Sequence, residues 1–187
     1  MLMVGPTIQQ DLISIILRFR MHMYAMAADI SKMYRQIRVH PEGYDLQRIL
    51  WRRSSDEPLK QYQLVTVTYG TTPASFLATR CLNQLAREEA SSYTLAAEVI
   101  SRDMYVDDLV TGFDNLSEAR RLQEEIIHIL GKGDFALHKL CANHVDLLEG
   151  IPEQLRESEL SCNFKNYEGI KTLGLVGIPH RIHLNMR

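Results

Sequence analysis

The sequence has little cysteine, a single tryptophan, no long apolar run and no excess of either charge, and most of these shortages close off a class of protein. Its three cysteines (Cys81, Cys141, Cys162) are odd in number, far apart and without CxxC spacing. That argues against a disulfide frame or a zinc site and for thiols in a reducing compartment. The longest apolar stretch, residues 12–17, falls far short of the ~20 residues that span a bilayer. The opening residues, MLMVGP, lack the charged start and apolar core of a secretory signal. Lys and Arg number 21 against 23 Asp and Glu, a formal charge of −2, so no basic surplus advertises a phosphate-backbone partner. Internal repeats and low-complexity tracts are also lacking. The expectation is an intracellular protein without a membrane span.

What is present is an ordinary globular composition. At 187 residues, 45% hydrophobic and 24% charged, the chain can bury one well-formed core. Ile8, Leu12, Ile15, Ile16 and Phe19 recur at helical spacing after Thr7, which reads as the cap. Residues 24–30 form a short apolar run with Asp29 at its exit, a buried strand. Residues 47–53 and 61–68 are rich in β-formers, and the turn-rich 54–58 between them predicts an antiparallel hairpin. Gly70 opens a loop in which Thr72 caps and Pro73 begins a helix to about Glu89. Residues 102–106 and 109–112 read as two strands about an acidic turn. Asn115 and Glu118 make a capping box for a helix that buries Leu116, Ala119, Leu122, Ile126, Ile129 and Leu130. Its outer face sets Arg120 and Arg121 four residues before Glu124 and Glu125. Gly131 and Gly133 stop it. Residues 135–139 and 171–176 read as further strands, with an irregular connection over 150–170. The order implies an α+β fold, a ferredoxin/RRM-like βαββαβ antiparallel sheet with helices on one face.

Asp107 and Asp108 together are a weak signal, because a polar hairpin turn carries acids for its own reasons. Context strengthens it. The pair is flanked on both sides by apolar residues, Met104, Tyr105 and Val106 before it and Leu109 and Val110 after it. Asp29 ends a second apolar strand that can lie alongside. Three carboxylates on one sheet edge repel one another unless a cation neutralises them. Mg²⁺ takes carboxylate and phosphate oxygens, and two such ions about 3.5–4 Å apart serve in-line nucleotidyl transfer.

Five motifs in order then resemble a known family. Tyr105-Val106-Asp107-Asp108 is similar to the YxDD box of reverse transcriptases. Asp29, followed five residues later by the aromatic Tyr34, resembles their first palm motif. Residues 67–76, with Tyr69 and Gly70, resemble the Gly-containing loop that opens a palm helix. Residues 133–139 resemble the motif after YxDD, and 171–175 the primer-gripping strand. Residues 4–9, 45–51 and 147–152 are most similar to the BEL/Pao class of LTR retrotransposons.

The resemblance implies an RNA-directed DNA polymerase palm, partial and cut from a larger polyprotein. Residues 1–22 would be a connecting helix, 23–40 and 69–150 palm, 41–68 a fingers hairpin, and 151–187 a connection with a primer-grip-like strand. Asp29 and Asp107 would be the principal ligands of two Mg²⁺ ions, with Mn²⁺ as a substitute. The Ile30 carbonyl would assist, and Asp108 would complete the cluster. Tyr34 stands at the steric gate against the 2′-hydroxyl, with Arg35 and Gln36 following it. Tyr69 and Gly70 would approach the incoming dNTP. Lys139 matches a lysine that protonates departing pyrophosphate, and Tyr105, Leu173 and Gly174 would face primer and template. Trp51 is read as packing in the fingers hairpin. Partners would be template RNA or DNA with primer, dNTPs, and the fingers, thumb and RNase H parts of the polyprotein. The implied location is the cytoplasm or a cytoplasmic virus-like particle.

Two positions depart from the class pattern: Leu140 and Gly177 stand where tryptophan is usual. The tail from His180 to Arg187 has no counterpart. Rival readings are an inactive remnant of the same element, another two-metal enzyme, and an RRM-like nucleic-acid-binding module. The last would need exposed aromatics on the central strands and a basic face, where this chain has acids.

Overall fold

The computed structural model describes residues 2–157 and the backbone of 170–172 and 175–177. Leu173, Gly174, Cys162 and the tail from 178 lie outside the described residues. In chain order the elements are α1 (Leu12–Met21), β1 (Tyr24–Ile30), α2 (Met33–Gln36), β2 (Arg48–Trp51), β3 (Lys60–Gln63) and α3 (Ala74–Glu89). There follow α4 (Thr94–Asp103), β4 (Met104–Tyr105), β5 (Asp108–Phe113), α5 (Leu116–Lys132), β6 (Leu137–Ala142), β7 (Ile170–Thr172) and β8 (Leu175–Gly177). The chain divides into two compact units, Met1–Ile8 with Lys32–Cys81, and Gln9–Ser31 with Leu82–Arg187. Helix α3 begins in the first and ends in the second.

The second unit holds a four-stranded antiparallel sheet in the order β4-β5-β1-β6. Successive strand side chains point to opposite faces, yet Ala25 through Ala28 of β1 are all buried. Both faces of the central strand are therefore covered, and its three alanines leave room for close packing. Helix α1 packs on β5, and α4 packs on both α5 and β5. Ile15, Ile30, Ile100, Leu109, Ile126, Ile129 and Leu130 form the fully buried centre.

Local chemistry sets the helix ends. The expected start of α1 at Thr7 is corrected: Asp11 accepts a hydrogen bond from the Ser14 amide at 2.9 Å, so the helix opens at Leu12. Asn115 caps α5 as the pattern predicts, accepting from the amides of Ser117 and Glu118 at 2.9 and 3.2 Å. Gly133 ends that helix, with its amide bonded to the Leu130 carbonyl. On the outer face Arg121 pairs with Glu125 at 3.7 Å. Arg120 instead reaches the Asp146 carbonyl and the Glu149 carboxylate.

Three further expectations change. Arg102 and Asp103 do not begin a strand, because they end α4, a helix the periodicity did not announce. The strand expected over 135–139 runs instead over Leu137–Ala142. The single strand expected over 171–176 is a pair, β7 and β8, matched antiparallel from Ile170 opposite Gly177.

In the first unit β2 and β3 form the expected hairpin, with Arg48 opposite Gln63 and Trp51 opposite Lys60. Both strands are exposed along their length. Trp51 meets Tyr62 edge-on, ring centres 5.9 Å apart. Gly5 lies against Phe76 so closely that an added Cβ would sit 2.5 Å from the ring.

Candidate active site

Sheet register gathers the acidic residues. Strands β1 and β5 run antiparallel with Asp29 directly opposite Asp108, and Tyr105 faces Asp108 from β4. Val106 and Asp107 form the two-residue turn that joins β4 to β5. The Ile30 amide donates to the Asp107 carbonyl at 2.8 Å, which fastens the turn to the end of β1. Val106 sits at φ 56°, a left-handed conformation that a β-branched residue rarely adopts and that such turns usually give to glycine.

Like charges facing each other across strands are destabilising, and the carboxyls show it. Burial raises Asp107 above the ordinary carboxylate range, and the charge of Asp29 adds to the rise. Asp108 is pushed up to about 6, first by burial and then by Asp107 and Asp29. Lys139 opposes both shifts.

Lys139 arrives through a bulge. On β6, Cys141 pairs with Ala27 and His138 pairs with Asp29, so two residues of β6 face the single Ala28. One of the two is Lys139, held left-handed at φ 52°. Bulges beside sites re-aim side chains, and this one sets Lys139 Nζ 3.5 Å from Asp29 Oδ2. Periodicity gave no sign of the contact.

The donor chemistry fits a divalent cation: partly buried carboxylate oxygens whose ionised forms oppose one another, the condition a hard cation relieves. The expected metal centre is not preassembled, because among the described residues no group of three His, Cys, Asp or Glu side chains is arranged to hold an ion. Lys139 supplies the local positive charge instead.

The residues expected to meet the nucleotide belong to the first unit. Tyr34, half-buried on α2, has its hydroxyl 3.3 Å from Ser75 Oγ. Arg35 and Gln36 are exposed, as is Tyr69. Gly70 holds φ 79° and a Cβ there would touch nothing, so the turn itself calls for glycine. Asp29, Asp107, Asp108 and Lys139 all belong to the second unit. Sequence reasoning missed Gln9 and Asp103, whose side chains bind the acidic hairpin at its tip and base, and Arg18, which pairs with Asp103.

No protein-family model and no curated protein matches the chain by sequence. Solved structures are similar to it in fold. The prototype foamy virus protease–reverse transcriptase, a selenomethionine-labelled CSH mutant, is similar at TM-score 0.56 and 19% identity over 72% of this chain. The chain has a reverse-transcriptase fold. The foamy viral protease–reverse transcriptase in complex with an RNA/DNA hybrid matches at TM-score 0.54, with 17% identity over 71% of the chain. A dRH form of that enzyme in complex with double-stranded DNA matches at 0.56, with 17% identity over 73%. The chain covers 16%, 16% and 21% of these three proteins, so it corresponds to a fraction of each.

Proposed function

We propose that this chain is the palm of a BEL/Pao-class retrotransposon reverse transcriptase, transferring dNMP from dNTP to a primer 3′-hydroxyl on an RNA or DNA template. The observation that carries the reading is Asp29 facing Asp108 across β1 and β5, with Asp107 in the adjoining turn, on a reverse-transcriptase fold. In that reading residues 23–40 and 69–150 are palm, 41–68 fingers, and the remainder connects to parts of a larger polyprotein.

Asp29, Asp107 and Asp108 would hold two Mg²⁺ ions, which when bound supply Lewis-acid stabilisation and an activated 3′-hydroxyl. The chain's own residues do the rest. Burial of the acids excludes water from part of the carboxylate surface and strengthens their interactions with charge. Lys139 holds a proton at Nζ beside Asp29, suited to meeting a departing pyrophosphate oxygen. Tyr34 would stand under the sugar and exclude a 2′-hydroxyl, its ring steadied through Ser75. Gly70, Tyr69 and Gln36 would line the approach of the nucleotide. Two of the similar solved proteins hold an RNA/DNA hybrid and double-stranded DNA, and the same class of duplex is the partner proposed for this chain.

The test is primer extension on an RNA template with dNTPs and Mg²⁺, beside an Asp107→Asn control. Extension by the native chain, alone or with fingers and thumb segments added, and its loss in the variant, is the expected result. Equal signal from both proteins, or none from either with the added segments, overturns the proposal and leaves the inactive-remnant reading.

A further inference from the structure

We propose that the segment from Gln9 through α1 is a splint that positions the acidic hairpin, with Gln9 and Arg18 as its positioning residues and Asp103 of α4 as the carboxylate that links Arg18 to the hairpin. This role rests on the functional reading above and adds to it how the acidic turn is held. At the tip, Gln9 Oε1 accepts the Val106 amide at 3.3 Å. Val106 is the residue forced left-handed by the turn, so its N–H is fixed where the backbone is least at ease.

At the base, Asp103 is the last residue of α4 and stands directly before β4. The residue is 3% exposed. Its carboxylate accepts from Arg18 Nε at 3.1 Å, from Arg102 Nε and Nη2 at 3.1 and 3.2 Å, and from the Thr111 hydroxyl at 2.8 Å. Arg18 Nη2 also donates to the Arg102 carbonyl at 2.8 Å. Thr111 is itself buried on β5. One carboxylate therefore joins α1, the end of α4 and the second strand of the hairpin. Gln9 lies just ahead of Asp11, the cap of α1, and Arg18 lies in its last turn. The same short stretch of chain touches the tip of the hairpin directly through Gln9 and holds its base through Asp103, the partner of Arg18. A buried charge met by four donors resists displacement, because each donor lost leaves it less compensated.

The experiment uses the full chain and Mn²⁺ alone as probe, followed by electron paramagnetic resonance, together with amide hydrogen exchange at Val106 and the thermal midpoint. Gln9→Met keeps the length and apolar stem and removes the acceptor. Arg18→Met removes both donors at the base, and Asp107→Asn removes a proposed ligand. In Gln9→Met, Val106 exchange should rise about tenfold, the equivalent of one lost hydrogen bond. Mn²⁺ binding should weaken severalfold while exchange at Ile126 and the midpoint hold. Arg18→Met should weaken Mn²⁺ binding in the same direction. Wild-type exchange at Val106 and wild-type Mn²⁺ affinity in Gln9→Met overturn the splint. A lowered midpoint with exchange raised everywhere makes Gln9 a stability contact only, which also overturns it. Mn²⁺ bound equally by Asp107→Asn overturns the metal reading, whereas faster Val106 exchange in Gln9→Met still supports the splint.

Discussion

Asp108 faces Asp29 across the sheet and is pushed up to about 6 by burial and two neighbouring carboxylates. A carboxyl whose folded value lies above its unfolded 3.8 binds its proton more tightly when folded. Its ionisation therefore costs stability above about pH 6, and that cost fades as pH falls toward the unfolded value. In metal-free protein, Asp108→Asn should raise stability at pH 7.5 by about 1 kcal/mol, after allowing for solvent screening at a partly exposed group. The gain should vanish near pH 4. Urea titrations at both pH values check it, and a gain that persists at pH 4 contradicts the electrostatic account. Tyr34→Ala should relax discrimination between dNTP and rNTP wherever the protein, alone or with fingers and thumb segments added, extends a primer. An unchanged incorporation ratio removes Tyr34 from the gate. The acids were legible because they stand in a contiguous box and at a strand end. The Lys139–Asp29 contact was not, since a left-handed lysine in a bulge leaves no periodic trace. Asp103 escaped notice because Arg18, its partner on α1, lies 85 residues away in sequence.

Among the elements, α5 was the most readable. Its cap, its apolar face and its glycine stop all agree, which is the condition under which local pattern predicts structure. Asn115→Ala should cost about 1 kcal/mol and Ile126→Ala about 2–5 kcal/mol, both read as a shift in the urea midpoint. A negligible effect at Ile126, fully buried on the inner face of α5, would contradict the packing described. Helix α4 was unreadable for opposite reasons. Tyr93 provides no side-chain cap, and Leu95, exposed among the polar positions Thr94, Glu98 and Ser101, blurs the outer face that would mark the helical period. The first helix was read too early because Thr7 is a plausible cap, while Asp11 makes the actual bond. The β2–β3 hairpin was legible from its β-formers and turn, and the structure adds that its strands lie open to solvent.

At the scale of the molecule, the order of the motifs predicted the fold that the comparison with foamy virus enzymes shows. Charge bears on binding in a different way. With 21 Lys and Arg against 23 Asp and Glu the chain has no surplus of cations to neutralise a duplex, so its affinity for an RNA/DNA hybrid should be weak and fall only shallowly with salt. A steep salt slope would contradict this and mean that the cations are gathered on one surface. The central proposal is that Asp29, Asp107 and Asp108, brought to one edge by the pairing of β1 with β5, together take up the metal. The most direct measurement is Mn²⁺ anomalous scattering from crystals of the chain, native and Asp107→Asn. The account predicts density bounded by Asp29 and the Asp107–Asp108 turn in the native protein and its loss or marked weakening in the variant. Native crystals without density there at saturating Mn²⁺, or equal density in both proteins, would contradict it.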